Sequence, residues 1–379
     1  MAFKHYDVVR AASPSDLAEK LTHKLKEGWQ PFGSPVAITP YTLMQAIAAE
    51  GDVVVSGATE PEWYYVIVLA GQSNAMAYGE GLPLPDSYDA PHPRIKQLAR
   101  RNTVTPGGEV CVFNDIIPAD HCLHDVQDMS GYHHPAADLH KGEYGCVGQG
   151  LHIAKKLLPY IPEQAGILLV PCCRGGAAFT VGAEGMYVPD TGATADAMRW
   201  GTGTALYEDL VARVKVALEY NRKNKLLSVC WMQGEFDLMS PDYEKHPDLF
   251  YQMVTSFRSE LSEYSSQCVG NSSERVPWLC GDTTWYWKES YQKEYDFIYG
   301  HYRQRTDDEI HFLSFQDSNR HELTNEPEED ADDLSVGYLG SSWRTELSWT
   351  TSQRSTHFNS MARRGVIAEC YAQKIRNYL

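Results

Sequence analysis

The feature that most constrains the fold is a regular alternation of strand-like and helix-like patterns from Trp63 to the C-terminus. Short apolar runs, each ended by polar or turn-forming residues, predict buried strands at 64–70, 166–171, 226–231, 276–280 and 310–315. Apolar residues recur at helical spacing at 148–158, 204–223, 247–264, 291–303 and 359–379. Strands separated by helices favour a parallel sheet that is covered on both faces and joined by right-handed crossovers. The sequence therefore predicts an α/β fold with a five-stranded parallel sheet.

The composition is ordinary for a soluble globular protein and argues against two classes of partner. The 379 residues suffice for one large domain with a small appendage. The net charge of −17 argues against nucleic acid and anionic membrane surfaces, which attract basic proteins. No apolar stretch is long enough to cross a bilayer. We therefore expect neither a nucleic acid nor a membrane as partner, and the sequence does not fix the oligomeric state.

The N-terminus and the cysteines bear on the cellular compartment. The first residues lack the apolar region of a secretory signal peptide. Nine cysteines are scattered along the chain, and two of them, Cys172 and Cys173, are adjacent. An odd, scattered set indicates a reducing compartment more than a disulfide framework. These features predict the cytoplasm, with the periplasm or the exterior, reached by a non-standard route or by cell lysis, as the alternative.

Residues 1–50 predict a small α+β unit that is separate from the rest. A helix is expected after Ser13, where an N-cap and leucines at helical spacing coincide. A strand is expected at 35–38 and a short second helix at 41–48. This unit contains no constellation of catalytic groups and is typical of an adaptor that mediates contacts. Residues 51–62 predict a linker, so the main domain is expected to span the remainder, 63–379.

Two connections are too long to be simple crossovers. We interpret 78–145, rich in Pro, Gly, Asp and His, as a pocket wall. The acidic run within 317–350 predicts a solvated flap, with a cation site as the alternative. A group of histidines in the first connection suggests a metal site, but their spacing matches no familiar zinc motif, so no metal is expected. These histidines are His121, His124, His133, His134 and His140.

Polar groups follow several predicted strands, where a parallel sheet would gather them at one edge. The first strand leads into 71–74 (Gly-Gln-Ser-Asn), which makes Ser73 the candidate nucleophile. The second leads into 174–176 (Arg-Gly-Gly), whose glycines allow main-chain N–H groups to approach a ligand. The third leads into 233–237 (Gln-Gly-Glu-Phe-Asp), with an amide and two carboxylates. His357 precedes the last predicted helix and is the candidate base.

Each of these residues also has a purely structural interpretation. Ser73 could be a helix N-cap in a polar turn, and the glycine pair could be a packing turn. Gln233 could be a satisfied amide at a strand end, and His357 could cap the last helix. Their common position at one sheet edge favours a catalytic role for the set. The adjacent thiols Cys172-Cys173 are interpreted as small apolar filler, since no histidine neighbours them in sequence.

Four segments resemble the sequence blocks of the SGNH hydrolases: 71–74 (Gly-Gln-Ser-Asn), 174–176 (Arg-Gly-Gly), 231–235 (Trp-Met-Gln-Gly-Glu) and 355–357 (Ser-Thr-His). More narrowly, the chain from residue 63 onward resembles the sialic acid O-acetylesterases. Within that branch it looks very like bacterial and prophage esterases that remove the 9-O-acetyl group of N-acetylneuraminic acid. The resemblance implies a three-layer α/β/α sandwich, flavodoxin-like, with a five-stranded parallel sheet. The first unit resembles a small bacterial and phage domain of unknown function.

The resemblance implies a role for each site residue. Ser73 would attack the acetyl carbonyl, with His357 as general base. The oxyanion donors would be the main-chain N–H groups of Ser73 and Gly176, with Gly175 as an alternative, and the side-chain amide of Gln233. Many SGNH hydrolases use asparagine where this chain has Gln233. No metal or organic cofactor is implied, and the substrate would be acetylated sialic acid, free or at glycan termini.

One position departs from the family pattern. The base usually follows an aspartate by three residues, but Arg354 stands there and cannot accept a hydrogen bond. We therefore predict a Ser73–His357 dyad, in which a main-chain carbonyl, for example from 353–355, holds the Nδ1–H of His357. Glu235 or Asp237 as a displaced third member is the alternative. We interpret both carboxylates as groups that brace the oxyanion loop.

Substrate binding and function leave further alternatives open. Sialic acid carries a carboxylate, which arginine binds in a bidentate manner, so Arg174, Arg199 and Arg354 are candidates. A surface ion pair is the alternative for each of them. The missing aspartate leaves room for a catalytically weak sialic-acid-binding protein. An acetylxylan-type esterase and a docking function of the N-terminal unit are the other hypotheses.

Overall fold

The structure, a computed structural model, describes the greater part of the chain. The described residues are 3–11, 13–39, 42–50, 60–76, 79–80, 89–100, 103–104, 110–119, 146–180, 199–315, 323–324 and 354–379. Most of the predicted linker, the histidines of the metal hypothesis and the acidic flap lie outside them. None of the helices in the described ranges combines the length and the hydrophobicity needed to span a bilayer.

The N-terminal unit is an antiparallel sheet packed against one helix. Strand β1 (His5–Ala11) is followed by helix α1 (Pro14–Lys26), which confirms the predicted helix. Strands β2 (Gln30–Pro31) and β3 (Val36–Thr39) lead to β4 (Thr42–Ala49), which pairs with all three other strands. Trp29, Leu17 and the inward residues of β1 and β4 form the small core of this unit.

The predicted helix at 41–48 was wrong, because this segment forms strand β4. Its Leu, Met, Gln and Ala residues have good helix propensity, but propensity is a weak prior. β4 pairs with β1 over seven residues, from His5↔Ala49 to Ala11↔Leu43, and this pairing satisfies the main chain of both strands. It also buries Ile47 completely in the core of the unit. Tertiary pairing therefore overrides local propensity here.

The main domain contains strands and helices, and in its described part the two alternate along the chain from residue 146 onward. The strands are β5 (Trp63–Gly71), β6 (Gly79–Glu80), β7 (Ile95–Leu98), β8 (Thr103–Val104), β9 (Val110–Cys111), β10 (Ile116–Pro118), β11 (Cys146–Val147), β12 (Ala165–Cys173), β13 (Lys225–Met232), β14 (Trp278–Gly281) and β15 (Ile310–Leu313). The helices are α2 (Gly150–Leu157), α3 (Ala205–Glu219), α4 (Glu235–Leu238), α5 (His246–Glu260), α6 (Trp285–Ser290), α7 (Gln292–Arg303), α8 (Ser360–Ala362) and α9 (Ala368–Ile375).

The main sheet has seven strands in the order β10-β7-β12-β5-β13-β14-β15, so the predicted count of five was too low. The five predicted strands are all present and parallel. The two additional strands come from the long connection that we interpreted as a pocket wall. β7 runs parallel to β12, and β10 closes that edge antiparallel to β7. Both are short, and β10 ends in Pro118, which an edge strand tolerates.

Successive residues of β5 belong to two different hydrophobic clusters. Val66 and Val68 pack with residues of α3, α5 and α7. Ile67 and Leu69 pack with residues of α2 and α9. β5 is therefore buried on both faces, which explains its continuous apolar sequence in place of an alternating pattern.

Candidate active site

The carboxyl ends of the three central strands lie side by side. β12 and β13 flank β5, and both Cys173 and Met232 are in register with Gly71. The segments that follow these three residues therefore start from one edge of the sheet. The structure thus brings together the polar groups that the sequence placed after three separate strands.

Gly71 allows the sharp turn that carries Ser73 over this edge. Its φ is +133°, and a Cβ atom at this position would lie 2.0 Å from the carbonyl oxygen of Met232. Only glycine adopts such a backbone without strain. The N–H of Gln72 then donates to the same Met232 oxygen at 2.9 Å, and a 3-10 turn, Ser73–Ala75, follows at once.

Gly71→Ala is expected to destabilise the protein strongly, because the added methyl group would collide with a main-chain oxygen. Backbone strain and overpacking each cost about 1–3 kcal/mol, so the free energy of unfolding should fall by about 3 kcal/mol or more in urea denaturation. Gly203→Ala is the matched control: φ is +79° there, but no atom lies within 4 Å of the added Cβ. An equal loss in both variants would contradict the role of the close approach.

Ser73 is largely buried at this edge of the sheet, which also carries two unused main-chain donors. It is 9% exposed and begins the turn after β5. Within the described part of the chain, the main-chain N–H groups of Ser73 and Gly176 donate to no acceptor. Gly176 adopts a φ of +71° in the loop after β12. Ser73 Oγ makes no hydrogen bond to His357 in this conformation, and such contacts often form only with substrate bound.

His357 lies in a segment that is fixed to the neighbour of Ser73. The Asn74 Nδ2 group donates to the carbonyl oxygen of Thr356 at 3.0 Å. The N–H of Phe358 donates to Asn74 Oδ1 at 3.1 Å. These two bonds bracket His357 on both sides, so the histidine stands at the edge that carries Ser73.

The electrostatic surroundings keep the His357 imidazole neutral. Burial, together with the positive charge of Arg363, lowers the pKa of His357 from 6.5 to about 3. A neutral imidazole is the form that a general base requires. The hydroxyl oxygen of Thr356 lies 3.3 Å from Nδ1. The expected carbonyl partner from 353–355 stays a prediction, since residue 353 lies outside the described ranges.

The Gln233 side chain makes three hydrogen bonds. Its Nε2 donates to Ala177 O at 3.2 Å and to Asp237 Oδ2 at 2.5 Å, and its Oε1 accepts from His246 Nε2 at 2.9 Å. The Asp237 carboxylate needs a donor, which fixes the orientation of the amide. Burial lowers the pKa of His246 to about 4, so this ring is neutral and donates from Nε2. Both amide hydrogens that we expected to face an oxyanion are thus engaged with protein groups in this conformation.

Asp237 braces the loop that follows Gly176. The carboxylate is fully buried and accepts from the main-chain N–H groups of Phe179, at 3.1 Å, and Thr180, at 2.9 Å. The Thr180 hydroxyl adds a third bond at 2.7 Å. Asp237 makes no hydrogen bond to His357 in the part of the chain that the structure describes. Its contacts hold this loop to the start of α4.

Glu235 braces the Ser73–Ala75 turn instead. Its Oε1 accepts from Asn74 Nδ2 at 2.8 Å and from the Thr283 hydroxyl at 3.0 Å. Burial is the largest influence on this carboxyl group and raises its pKa. Among the described residues, Glu235 does not hydrogen-bond to His357, so it reaches the histidine only through Asn74.

The candidate arginines occupy different positions. Arg174 is buried directly after β12, and its main-chain N–H donates to Gly71 O at 3.0 Å. Arg199 donates from Nη2 to Phe179 O at 3.1 Å, next to the loop that Asp237 holds. The side chain of Arg354 lies outside the described residues.

Sequence reasoning missed three residues of this site: Asn74, His246 and Arg363. Arg363 is fully buried and begins a π-helical turn, Arg363–Ile367, between α8 and α9. Its Nη1 donates to Asn74 O at 2.9 Å and to Gln149 Oε1 at 2.7 Å. Asn74 belongs to the motif at 71–74 that the sequence indicates, whereas an arginine or histidine at the start of a helix gives no such signal. A π-turn inside a helix is frequent at functional sites, but only the structure reveals it.

Two protein-family models match the chain. Residues 3–50 match a domain of unknown function (DUF1737), and residues 64–270 match the model described as carbohydrate esterase, sialic acid-specific acetylesterase. A probable 9-O-acetyl-N-acetylneuraminic acid deacetylase from Escherichia coli (strain K12) is 58% identical over 318 residues, which cover 84% of this chain and 97% of that protein.

Solved structures agree with these matches. The crystal structure of NanS is 58% identical and matches with a TM-score of 0.75, covering 84% of this chain and 98% of that one. A protein from Arabidopsis thaliana, at 16% identity, matches with a TM-score of 0.50 over 83% of this chain and 99% of its own. The second likeness concerns the fold alone.

Proposed function

Because the chain belongs to the carbohydrate esterase family of sialic acid-specific acetylesterases, we propose that it removes the 9-O-acetyl group of N-acetylneuraminic acid through an acyl-enzyme on Ser73. The observation that carries this mechanism is the pair of hydrogen bonds that links Asn74 to Thr356 and Phe358, on either side of His357. The two unused main-chain donors, on Ser73 and Gly176, add support.

Acylation would begin when Ser73 Oγ attacks the acetyl carbonyl carbon and its proton passes to Nε2 of neutral His357. For Nε2 to accept that proton, the other ring nitrogen carries a hydrogen, which Nδ1 would donate to the Thr356 hydroxyl oxygen 3.3 Å away. The negative charge on the carbonyl oxygen would be met by the N–H groups of Ser73 and Gly176. The ester C–O bond then breaks, and the His357 proton goes to the departing sugar oxygen.

Deacylation would repeat these steps with water as nucleophile. His357 takes a proton from the water, the acyl–Ser73 bond breaks, and the proton returns to Ser73 Oγ. The products are acetate and the deacetylated sugar. Every proton in this scheme has a protein carrier, so the mechanism calls for no cofactor.

Gln233 would become a third oxyanion donor only if its amide gave up one of its present hydrogen bonds. Its bond to Ala177 O, at 3.2 Å, is longer than its bond to Asp237, at 2.5 Å. The Ala177 bond is therefore the one that an oxyanion would replace. The three arginines at 174, 199 and 354 stay candidates for the substrate carboxylate.

We infer the larger organisation from the same observations. The two clusters on opposite faces of β5 support a three-layer α/β/α sandwich. The family matches at 3–50 and 64–270 support a small N-terminal domain at 1–50, a linker at 51–62 and an esterase domain at 63–379, and we interpret the first domain as an adaptor.

The proposed substrate predicts a clear order of acetate release. The purified protein should release acetate from 9-O-acetyl-N-acetylneuraminic acid, because the family match and the 58% identical relative both concern this sugar. Acetylated xylan oligosaccharides should give little or none. Acetate is measured enzymatically for both substrates and for a glycan that carries terminal 9-O-acetyl sialic acid.

Other results of the acetate-release assay would indicate a different function or a narrower substrate. Faster release from xylan acetates would indicate an acetylxylan-type esterase. Binding of the acetylated sialic acid without any release of acetate would indicate a carbohydrate-binding protein. Release from the free sugar but not from the glycan would restrict the substrate to the free form.

A further inference from the structure

We propose that Asn74, held in place by Glu235, is the positioning residue that fixes His357 in this chain, where Arg354 stands in place of the usual acid. The inference deepens the proposed function and rests on it. In this proposal Asn74 makes no contact with the substrate carbonyl, but it determines the position of His357.

The Asn74 side chain is saturated with hydrogen bonds, and they define its orientation. Nδ2 donates to Glu235 Oε1 at 2.8 Å and to Thr356 O at 3.0 Å. Oδ1 accepts from Phe358 N at 3.1 Å and from Arg363 Nη2 at 3.3 Å. An amide flipped by 180° would set its oxygen against a carboxylate and a carbonyl, so only one orientation is compatible with these partners.

This geometry gives the nucleophile and the base a common anchor. Asn74 is fully buried and lies in the same 3-10 turn as Ser73. Its amide holds the main chain on both sides of His357, so a shift of Asn74 would change the distance between Ser73 and the imidazole. A misplacement of about 1 Å between reacting groups can cost roughly 10²-fold in rate.

A second set of contacts supports the same segment. Arg363 Nε donates to Phe358 O at 3.1 Å, and its Nη1 donates to Asn74 O at 2.9 Å. The indole N–H of Trp287 donates to Thr356 O at 3.1 Å. These contacts hold the main chain around His357, and the Asn74 side chain joins both flanking residues to the nucleophile turn.

This arrangement differs from a triad in where the negative charge lies. In a triad, the acid hydrogen-bonds directly to the imidazole and stabilises its charged form. Here the Glu235 carboxyl group contacts Asn74 and Thr283, so it acts on the amide. Only its Oε1 is used, and Oε2 has no hydrogen-bond partner among the described residues. A neutral acceptor of the same shape should therefore serve equally well at this position.

The test compares Asn74→Ala with a matched buried asparagine, Asn224→Ala. Asn224 is likewise buried, accepts from Tyr64 N at 2.7 Å and donates to Ala217 O at 2.7 Å, but it lies at the opposite, amino-terminal end of β13. For Asn74→Ala, kcat should fall roughly 10²-fold, by the misplacement argument, while KM changes little. Asn224→Ala should lower the thermal midpoint but leave the kcat of the folded protein unchanged.

Glu235 provides a second test that leaves Asn74 in place. Glu235→Ala removes the acceptor and should lower kcat, whereas Glu235→Gln keeps an Oε1 for Asn74 and Thr283 and should restore most of it. Equal loss in both variants would show that the charge matters, as in a displaced triad acid, and would overturn the inference. Full kcat in Glu235→Ala, or in a folded Asn74→Ala, would also overturn it. If Asn74→Ala does not fold, the Glu235 pair decides.

Two substrates are assayed, so that a failure of the positioning role can be distinguished from a failure of the proposed sialic acid substrate. kcat is measured on 9-O-acetyl-N-acetylneuraminic acid and on p-nitrophenyl acetate, a simple acetyl ester that needs the proposed catalytic groups but no sugar-binding residue. A wild-type protein active on the simple ester alone would contradict the proposed sialic acid substrate. The Asn74 and Glu235 variants would then still test the positioning role on p-nitrophenyl acetate.

Discussion

Replacing Ser73 with alanine is expected to abolish acetate release from 9-O-acetyl-N-acetylneuraminic acid. Removal of a serine nucleophile that acts with a histidine base lowers turnover by at least about 10³-fold. The Cys172 thiol is a poor substitute, because burial raises its pKa to about 11. Acetate is measured under saturating substrate, with the thermal midpoint recorded to show that the variant is folded.

The control is Ser259→Ala, an exposed serine on α5, which should leave turnover unchanged. A serine-reactive phosphonate should add its mass to the wild-type peptide that contains Ser73, and to no peptide of Ser73→Ala. Turnover of Ser73→Ala within tenfold of the wild type, or labelling at a different serine, would remove Ser73 from the mechanism.

The strands that the sequence predicted correctly are those with continuous apolar runs. β5 and β12 are buried on both faces, so each of their residues carries a signal. β7 was missed because only four residues pair, and Lys96 and Gln97 interrupt the apolar pattern. β4 was predicted as a helix because nothing local in Thr42–Ala49 reveals that its partner lies more than thirty residues earlier in the chain. Pairing between distant segments is invisible to local patterns.

The sequence predicted only part of the candidate site, for the same reason. Ser73 and Gly176 follow strands, and the rule that parallel strands gather their carboxyl ends predicts their common edge. The contacts that hold them depend on side chains from distant segments. Arg363, in a π-helical turn, reaches the Ser73–Ala75 turn, and His246 reaches Gln233 from the start of α5. Their residue types fit many surface or core positions, so the sequence offers no reason to single them out.

His357→Gln is expected to lower kcat by about 10³-fold or more, because a glutamine amide cannot accept the Ser73 proton. Glutamine keeps a polar side chain of similar length, so the segment bracketed by Asn74 should remain folded. The matched control is His23→Gln on the exposed surface of α1, where turnover should not change. Turnover of His357→Gln near that of the wild type would mean that another group takes the proton.

The pH profile provides a second measurement on the same residue. An unperturbed histidine base becomes protonated below its pKa of about 6.5, and the rate then falls tenfold per pH unit. Here burial and Arg363 lower the pKa of His357 to about 3, so kcat/KM should remain nearly constant from pH 7 down to about pH 5. The same shift affects stability with a definite sign. The unfolded chain binds a proton at His357 that the folded protein does not, so stability falls as the pH drops from about 6.5 towards 3. Acid inactivation of the wild type should therefore follow unfolding, recorded by circular dichroism on the same samples. A loss of kcat/KM centred near pH 6.5 in protein that is still folded would contradict the lowered pKa of His357.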